Sequence, residues 1–265
     1  MKPYYETELG KLYHGDCLEI MPELEPVDLV VTSPPYDDLR DYGGYTFDYK
    51  RVAENLYLNV APGGVIVWVV GDATVNGSET GTSFKQALYF KDVGFNLHDT
   101  MIWMKSKMPQ NHNRYEQGFE YMFILSKGKP KSFNGIKDKK NIEAGTTAHA
   151  SYRDRDGVVK KTKSFNQSKI AHLGLRYNIW DIVPCLSKVN RNGHPAPFPE
   201  QLVHDHIISW SNEGDMVSDI MSGSGTTLKM AEKLNRRWIG IEIEEKYCEI
   251  AAKRIEKENQ QLKLW

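Results

Sequence analysis

The chain has 265 residues, 40% of them hydrophobic and 26% charged, with a formal net charge of −1. That length fits one large α/β domain, or one domain with an inserted piece, and suffices to bury a full core. The balanced charge excludes a uniformly basic, histone-like protein, and the longest apolar run, Val65 to Val70, is far short of the ~20 residues that a membrane span needs.

In chain order, Leu12 to Asp16 reads as a short strand with polar residues at its end, and Asp28 to Ser33 as an apolar strand stopped by Pro34-Pro35. Asp48 to Ala61 carries Val52, Leu56 and Val60 at helical spacing, and Pro62-Gly63-Gly64 ends it. Val65 to Val70 is predicted to be a strand buried on both faces. Phe84 to Phe90 reads as helix, Asp99 to Met104 as extended chain, and Tyr121 to Leu125 as a further apolar strand. From Lys127 to Tyr177 the apolar periodicity is poor and turn residues are frequent. A βαβ pattern follows: helix from Pro199 to Trp210, strand from Met216 to Asp219, helix from Thr226 to Leu234, strand from Trp238 to Glu242, helix from Glu245 to about Glu258. Such alternation predicts a parallel sheet with helices on both faces and ligands at the carboxyl ends of the strands.

The near-zero total charge conceals a split. Residues 127–177 hold 13 Lys and Arg against four Asp and Glu, a net +9, which leaves −10 on the rest. Phe133, Tyr152, Phe165 and Tyr177 are interleaved among these charges, a composition that suits a polyanion; a solvated loop with incidental charge is the alternative. Lys105 and Arg114 precede this region as further phosphate candidates, with plain solvated surface equally consistent. The three cysteines, Cys17, Cys185 and Cys248, are far apart and form no CxxC pair, which predicts a reduced, cytoplasmic setting; the polar start MKPYYETELG predicts no signal peptide. The eight histidines form no metal-ligand set, so no metal is expected.

Two segments carry chemistry. In Thr32-Ser33-Pro34-Pro35-Tyr36, consecutive prolines hold the backbone extended and remove two N–H donors at a strand end. Carbonyl oxygens, the Ser33 hydroxyl and the Tyr36 ring can there receive a planar group bearing an NH2; a simple strand-to-loop stop is the alternative. In the run Asp219 to Thr227, between a strand and a helix, Gly223 and Gly225 allow a tight turn and close approach of a ligand to the backbone. No Lys follows, so this is not a phosphate-gripping loop, and the spacing is not GxGxxG. Glu242, at the end of the next strand, is placed to accept two ribose hydroxyls.

Taken together, TSPPY at 32–36, D-x-x-x-GSGTT at 219–227 and GIE at 240–242 resemble the β-class amino-DNA methyltransferases. Gly15-Asp16 resembles their adenine-side acidic motif, and His194 to Pro199 the segment before the cofactor helix. Glu120 to Leu125 resembles the strand leading into the target-recognition region, and Asn178 to Ile182 the returning, tryptophan-containing strand. The resemblance implies a Rossmann-like α/β methyltransferase fold, circularly permuted so that the catalytic region (1–126) precedes the cofactor region (191–265), with a target-recognition insertion at 127–190. It implies S-adenosyl-L-methionine as cofactor, held by Asp16, Cys17, Phe198, Asp219, Met221, Gly223, Ser224, Gly225, Thr226, Thr227 and Glu242. One departure is Asp219-Ile220-Met221 where the family has Asp-Pro-Phe; Met can cover the cofactor as Phe would.

The implied reaction is methyl transfer to an exocyclic amine of a base flipped from double-stranded DNA. Ser33, Pro34, Pro35 and Tyr36 are the implied catalytic set, and Ser33 rather than Asp favours cytosine N4 over adenine N6. Lys137, Lys139, Lys140, Arg153, Arg155, Lys160, Lys161, Lys163, Lys169 and Arg176 are the implied DNA contacts. Pro184-Cys185 matches the nucleophile dipeptide of cytosine-C5 methyltransferases, but no glycine-rich motif precedes it, and Cys185 is read as structural. The family also suggests a cognate restriction endonuclease in the cell and a homodimer. The competing readings are an adenine-N6 enzyme, a nicotinamide-dependent oxidoreductase, and a non-catalytic DNA-binding module.

Overall fold

The computed structural model describes residues 1–35, 47–105, 113, 115–147, 151–161, 169–184 and 198–262. The strands are β1 (Tyr5–Glu6), β2 (Gly10–His14), β3 (Val27–Thr32), β4 (Val60–Val70), β5 (Thr74–Val75), β6 (Ser78–Glu79), β7 (Asn96–Met104), β8 (Phe119–Ser126), β9 (Lys137–Lys140), β10 (Ser151–Arg153), β11 (Val159–Lys161), β12 (Leu173–Leu175), β13 (Ile179–Asp181), β14 (Met216–Asp219) and β15 (Arg237–Glu242). The helices are α1 (Cys17–Ile20), α2 (Tyr49–Asn59), α3 (Thr82–Val93), α4 (Glu200–Trp210), α5 (Thr226–Lys233) and α6 (Glu245–Leu262).

Among the described residues, nine strands form one sheet in the order β1-β2-β15-β14-β3-β4-β8-β7-β13. The run β2-β15-β14-β3-β4 is parallel throughout. β8 lies antiparallel to both β4 and β7, while β13 is parallel to β7. The first and last stretches of the chain thus share one sheet, with β3 and β14 side by side.

The period-two alternation of a strand explains why β4 reads as continuously apolar. Val65, Val67 and Val69 face one layer, built with Leu202, Val203, Ile207, Leu228, Ala251 and Ile255 of α4, α5 and α6. Ile66, Trp68 and Val70 face the other, built with Val52, Ala53, Leu56, Ala87 and Phe90 of α2 and α3. The sheet is therefore covered on both faces, as its apolar runs predict. α2 begins where Asp48 accepts hydrogen bonds from the Lys50 and Arg51 amides at 3.2 Å each. It stops at Asn59, and Pro62-Gly63-Gly64 already lies within β4, inside the shift in its register with β3.

The chain divides into two compact units: Met1–Asn134 with Asn178–Trp265, and Gly135–Tyr177. The first holds the large sheet. Residues 127–134 belong to it for evident reasons. Lys127 Nζ donates to the Tyr57 and Val60 carbonyls at 2.5 and 2.9 Å, closing the end of α2. Lys131 pairs with Asp28 at 2.8 Å and Asp215 at 3.1 Å. Residues 178–184 also return to this unit, where the Trp103 indole donates to the Ile182 carbonyl at 2.7 Å. The second unit contains two antiparallel pairs, β9 with β12 and β10 with β11. It holds ten Lys and Arg against four Asp and Glu, a net +6, so part of the basic excess read from sequence belongs to the sheet unit.

Candidate active site

Parallel strands end on one rim, and this rim gathers the chemistry-bearing residues from four separate stretches of chain. Glu242 stands opposite His14 in the β15/β2 pair, and Asp219 opposite Gly240 in the β14/β15 pair. β3 ends beside β14 and delivers Ser33 and Pro35, both half-buried, and the buried Pro34. The Thr32 hydroxyl donates to Asp219 Oδ1 at 2.8 Å, and the Thr227 hydroxyl donates to the Val31 carbonyl at 3.2 Å. These two bonds join the end of the Ser33 strand to the glycine turn from both sides.

The turn is shaped by its glycines. Gly223 and Gly225 adopt φ of +50° and +73°, in the left-handed region that other residues occupy at a cost. A Cβ on Gly225 would also lie 2.6 Å from the Ala251 Cβ of α6. Gly225 is the N-cap of α5 and no side chain caps that helix, so its first amides remain available as donors. Glu242 Oε2 accepts from the Gly223 amide at 2.6 Å, and its Oε1 from the Glu244 amide at 2.9 Å. Two backbone donors thereby fix the carboxylate plane.

The electrostatics of the rim are set by buried acids. Burial pushes the Asp219 carboxyl up to about 6, against the Thr32 hydroxyl and the Met221 amide, which favour its charged form. Burial also raises Glu242, outweighing the amides of Glu244 and Gly223, with Asp219 adding repulsion. Two acids under desolvation and repulsion favour a cationic occupant. With donors at an uncapped helix start and a carboxylate for a diol, this donor set fits a sulfonium nucleoside.

The remaining predicted cofactor residues are distributed unevenly. Asp16 caps α1 by accepting from the Leu18 amide at 2.8 Å, and the Gly15 amide donates to the Glu242 carbonyl at 2.9 Å, which brings that corner onto the rim. The Cys17 side chain is buried in the core, and its thiol is pushed up to about 12, first by burial and then by Asp16. Cys248 is likewise buried and raised to about 12, so neither thiol is a nucleophile at neutral pH. Met221 and Phe198 are half-buried against opposite core layers. Thr227 is fully buried, and the Ser224 and Thr226 hydroxyls are engaged by Arg254 of α6 at 3.1 Å each. Sequence reasoning named Thr32 only as the first residue of its motif, without a role, and did not single out Glu200 or Arg254; nothing local marks these roles, because their partners are far away in the chain.

Of the predicted DNA contacts, Lys137, Lys140, Arg153, Arg155 and Lys169 are exposed. Lys139 lies over the Tyr177 ring at 4.6 Å. Lys160 pairs with Asp154 at 2.7 Å and Arg176 with Asp138 at 2.5 Å, so these two charges are already partnered within the second unit. Lys161 is described only as the last residue of β11. Lys105, a further phosphate candidate or plain solvated surface from the sequence, is held by Glu120 and lies over the Trp103 ring at 4.8 Å, so its charge already has partners within the sheet unit. Tyr36, Arg114, Lys163, Cys185 and residues 194–197 lie outside the described residues. No metal-binding group of His, Cys, Asp and Glu occurs among the described residues.

Comparison with known proteins agrees with this geometry. The chain is 51% identical over 249 residues to the orphan methyltransferase M.BamHII of Bacillus amyloliquefaciens, covering 91% of this chain and 90% of that one. The structure of the cytosine-N4-specific PvuII DNA methyltransferase superposes with a TM-score of 0.70 at 23% identity, covering 98% of this chain and 93% of that one, and shows the shared fold. A putative DNA modification methylase from Thermus thermophilus, solved with S-adenosyl-L-methionine, gives a TM-score of 0.62 at 26% identity over 93% of each chain. The Rossmann-like fold is thereby shown, and a nicotinamide-dependent oxidoreductase is set aside. With the family model described as DNA methylase matching residues 27–253, rim and sheet included, the chain belongs to the N6/N4 DNA methylase family of S-adenosylmethionine-dependent enzymes.

Proposed function

We propose that the protein methylates the exocyclic N4 of a cytosine flipped out of double-stranded DNA. The observation that carries this reading is Ser33 at the end of β3, beside the Asp219 turn to which Thr32 is tied. S-adenosyl-L-methionine, when bound, supplies an activated methyl group on a sulfonium. The rest falls to the chain's own residues. Asp16, Glu242 and the turn from Asp219 to Thr227 hold the cofactor, Glu242 by accepting ribose hydroxyls and the turn through the amides at the uncapped start of α5.

The amine of cytosine is a poor nucleophile because its lone pair is delocalised into the ring. The Ser33 hydroxyl and the Pro34 carbonyl accept its two hydrogens, which favours a pyramidal nitrogen with its lone pair directed at the methyl group. Positive charge grows on nitrogen as the new bond forms, and the same two acceptors stabilise it. One of the nitrogen's protons then passes by way of these acceptors to water, since a serine hydroxyl cannot retain it. Tyr36 follows directly in sequence and supplies a ring for stacking the extruded base. Holding both reactants in line provides most of the acceleration. The second unit, Gly135–Tyr177, is the target-recognition region, with Lys137, Lys140, Arg153, Arg155 and Lys169 neutralising phosphates.

The decisive experiment incubates the protein with DNA of diverse sequence and labelled S-adenosyl-L-methionine, then digests the product to nucleosides. Labelled N4-methylcytosine is expected. Labelled N6-methyladenine in its place would assign the chain to the other branch of the family.

A further inference from the structure

We propose that Arg254 is a positioning residue for the cofactor: it never touches the ligand but fixes the glycine turn and the 198–200 segment relative to each other. The proposal rests on the reading of the turn as the cofactor site. Arg254 lies on α6 with its side chain only 13% exposed. Its Nη1 donates to the Ser224 carbonyl at 2.6 Å and contacts the Ser224 and Thr226 hydroxyls at 3.1 Å each. Its Nη2 donates to Glu200 Oε1 at 3.0 Å. Glu200 is the first residue of α4, two positions after Phe198, and also accepts from Lys229 of α5 at 2.9 Å.

One planar guanidinium therefore joins three pieces of the rim. These are the turn, the segment entering α4, and α6 itself, which begins three positions after Glu242. The fork of an arginine fixes direction as well as distance, which a lysine ammonium does not. Arg254 fixes the Ser224 and Thr226 oxygens, and the Met221, Ser222, Gly223 and Gly225 amides are bonded within the protein, so the backbone donors left for a ligand are those at the uncapped start of α5. Their aim depends on what grips the turn from behind. Gly225, with its φ of +73°, supplies the bend but, having no side chain, nothing to hold it in place.

The test compares the full-length wild-type protein with Arg254→Met and Arg254→Lys, measuring S-adenosyl-L-methionine affinity by calorimetry together with steady-state kinetics. Arg254→Met is expected to raise the cofactor Kd and KM about tenfold, as for the loss of one charge-assisted contact. At saturating cofactor, kcat and the KM for DNA should stay close to wild type, a split that general loosening of the fold would not produce. Arg254→Lys, which keeps the charge but loses the fork, should recover only part of the affinity. A folded Arg254→Met protein with wild-type cofactor affinity would overturn the proposal. If that variant does not fold, Glu200→Gln decides: a weakened cofactor Kd at unchanged kcat upholds the proposal, and unchanged affinity rejects it. A wild-type protein that bound no S-adenosyl-L-methionine at all would bring down the cofactor assignment, and this proposal with it.

Discussion

Thr32 and Asp219 are separated by 187 positions in the chain, yet the Thr32 hydroxyl donates to the Asp219 carboxylate at 2.8 Å in a site closed to water. The bond joins the two segments to which the proposed reading assigns the base and the cofactor. Thr32→Val keeps the shape and leaves a buried acceptor short of a donor. A loss of about 1.5–3 kcal/mol is expected, the range for a hydrogen bond to a charged group. Thr32→Ser should restore most of it. Urea denaturation of the three proteins checks this; equal midpoints for Thr32→Val and wild type would show that the bond contributes nothing.

The raised Asp219 carboxyl makes stability depend on pH. In the unfolded chain this group titrates near 3.8, and in the fold at about 6. Between those values the folded state holds a proton that the unfolded chain has shed. Stability therefore falls as pH rises from about 4 to about 6 and is level above, with a contribution on the order of 3 kcal/mol. Asp219→Asn removes this slope while keeping the oxygen that accepts from Thr32. Denaturation of the cofactor-free proteins at pH 4.5 and pH 7 is the measurement, and parallel pH profiles for wild type and variant would contradict the prediction.

Gly225→Ala carries two separable costs. The φ of +73° penalises any side chain by about 1–2 kcal/mol, and a Cβ 2.6 Å from that of Ala251 adds overpacking of about 1–3 kcal/mol. The double variant Gly225→Ala, Ala251→Gly should recover the second cost and not the first. Thermal midpoints of the set resolve the two; full recovery in the double variant would mean that the backbone is unstrained.

On the proposed mechanism, Ser33→Ala removes one acceptor of the reacting amine. A fall in kcat of about 10²–10³ is expected, comparable to losing one preorganised hydrogen bond in a transition state. Cofactor affinity should be unchanged. A kcat within a small factor of wild type, with DNA and cofactor saturating, would remove Ser33 from the mechanism.

Salt dependence distinguishes the lysines and arginines of the second unit. Lys137→Gln, Lys140→Gln and Arg155→Gln should each lower the slope of log K against log salt by about 0.9 if the residue neutralises a phosphate. Lys160→Gln should change it less, because Asp154 already holds that charge. Fluorescence anisotropy with duplex DNA over a salt series measures the slopes. An equal effect at Lys140 and Lys160 would argue against a contact map based on which charges are already partnered.

Much of this architecture was readable from the chain. Apolar runs located β3, β4, β8, β14 and β15, because the middle of a strand covered on both faces is mostly apolar and its polar residues gather towards the ends. Spacing of Val52 and Leu56, and of Leu202, Val203 and Ile207, located two helices. The acids and glycines of the rim could be found because turns and helix starts demand particular residues. What stayed hidden was long-range. Nothing in the run 119–126 says that β8 lies antiparallel between β4 and β7, since the side-chain period is the same in either direction. Arg254 and Glu200 look like ordinary helix-surface charges until the fold sets them side by side. Lys127 and Lys131 look like part of the basic segment, although their partners are a helix end and two aspartates of the sheet unit.

Those two lysines bear on how recognition modules can be exchanged between related enzymes. A graft cut at Ser126 would discard the cation that closes α2, the Lys131 bridge between Asp28 and Asp215, and the Asn134 amide that donates to the Ser209 carbonyl at 2.8 Å. A return joint placed after residue 190 would also replace β13 and its pairing with β7. Joints after Asn134 and before Asn178 leave all of these intact. On the proposed reading of the second unit, the module to exchange is the 43-residue segment Gly135–Tyr177, and joints at its two ends leave the bonds just named with the sheet unit.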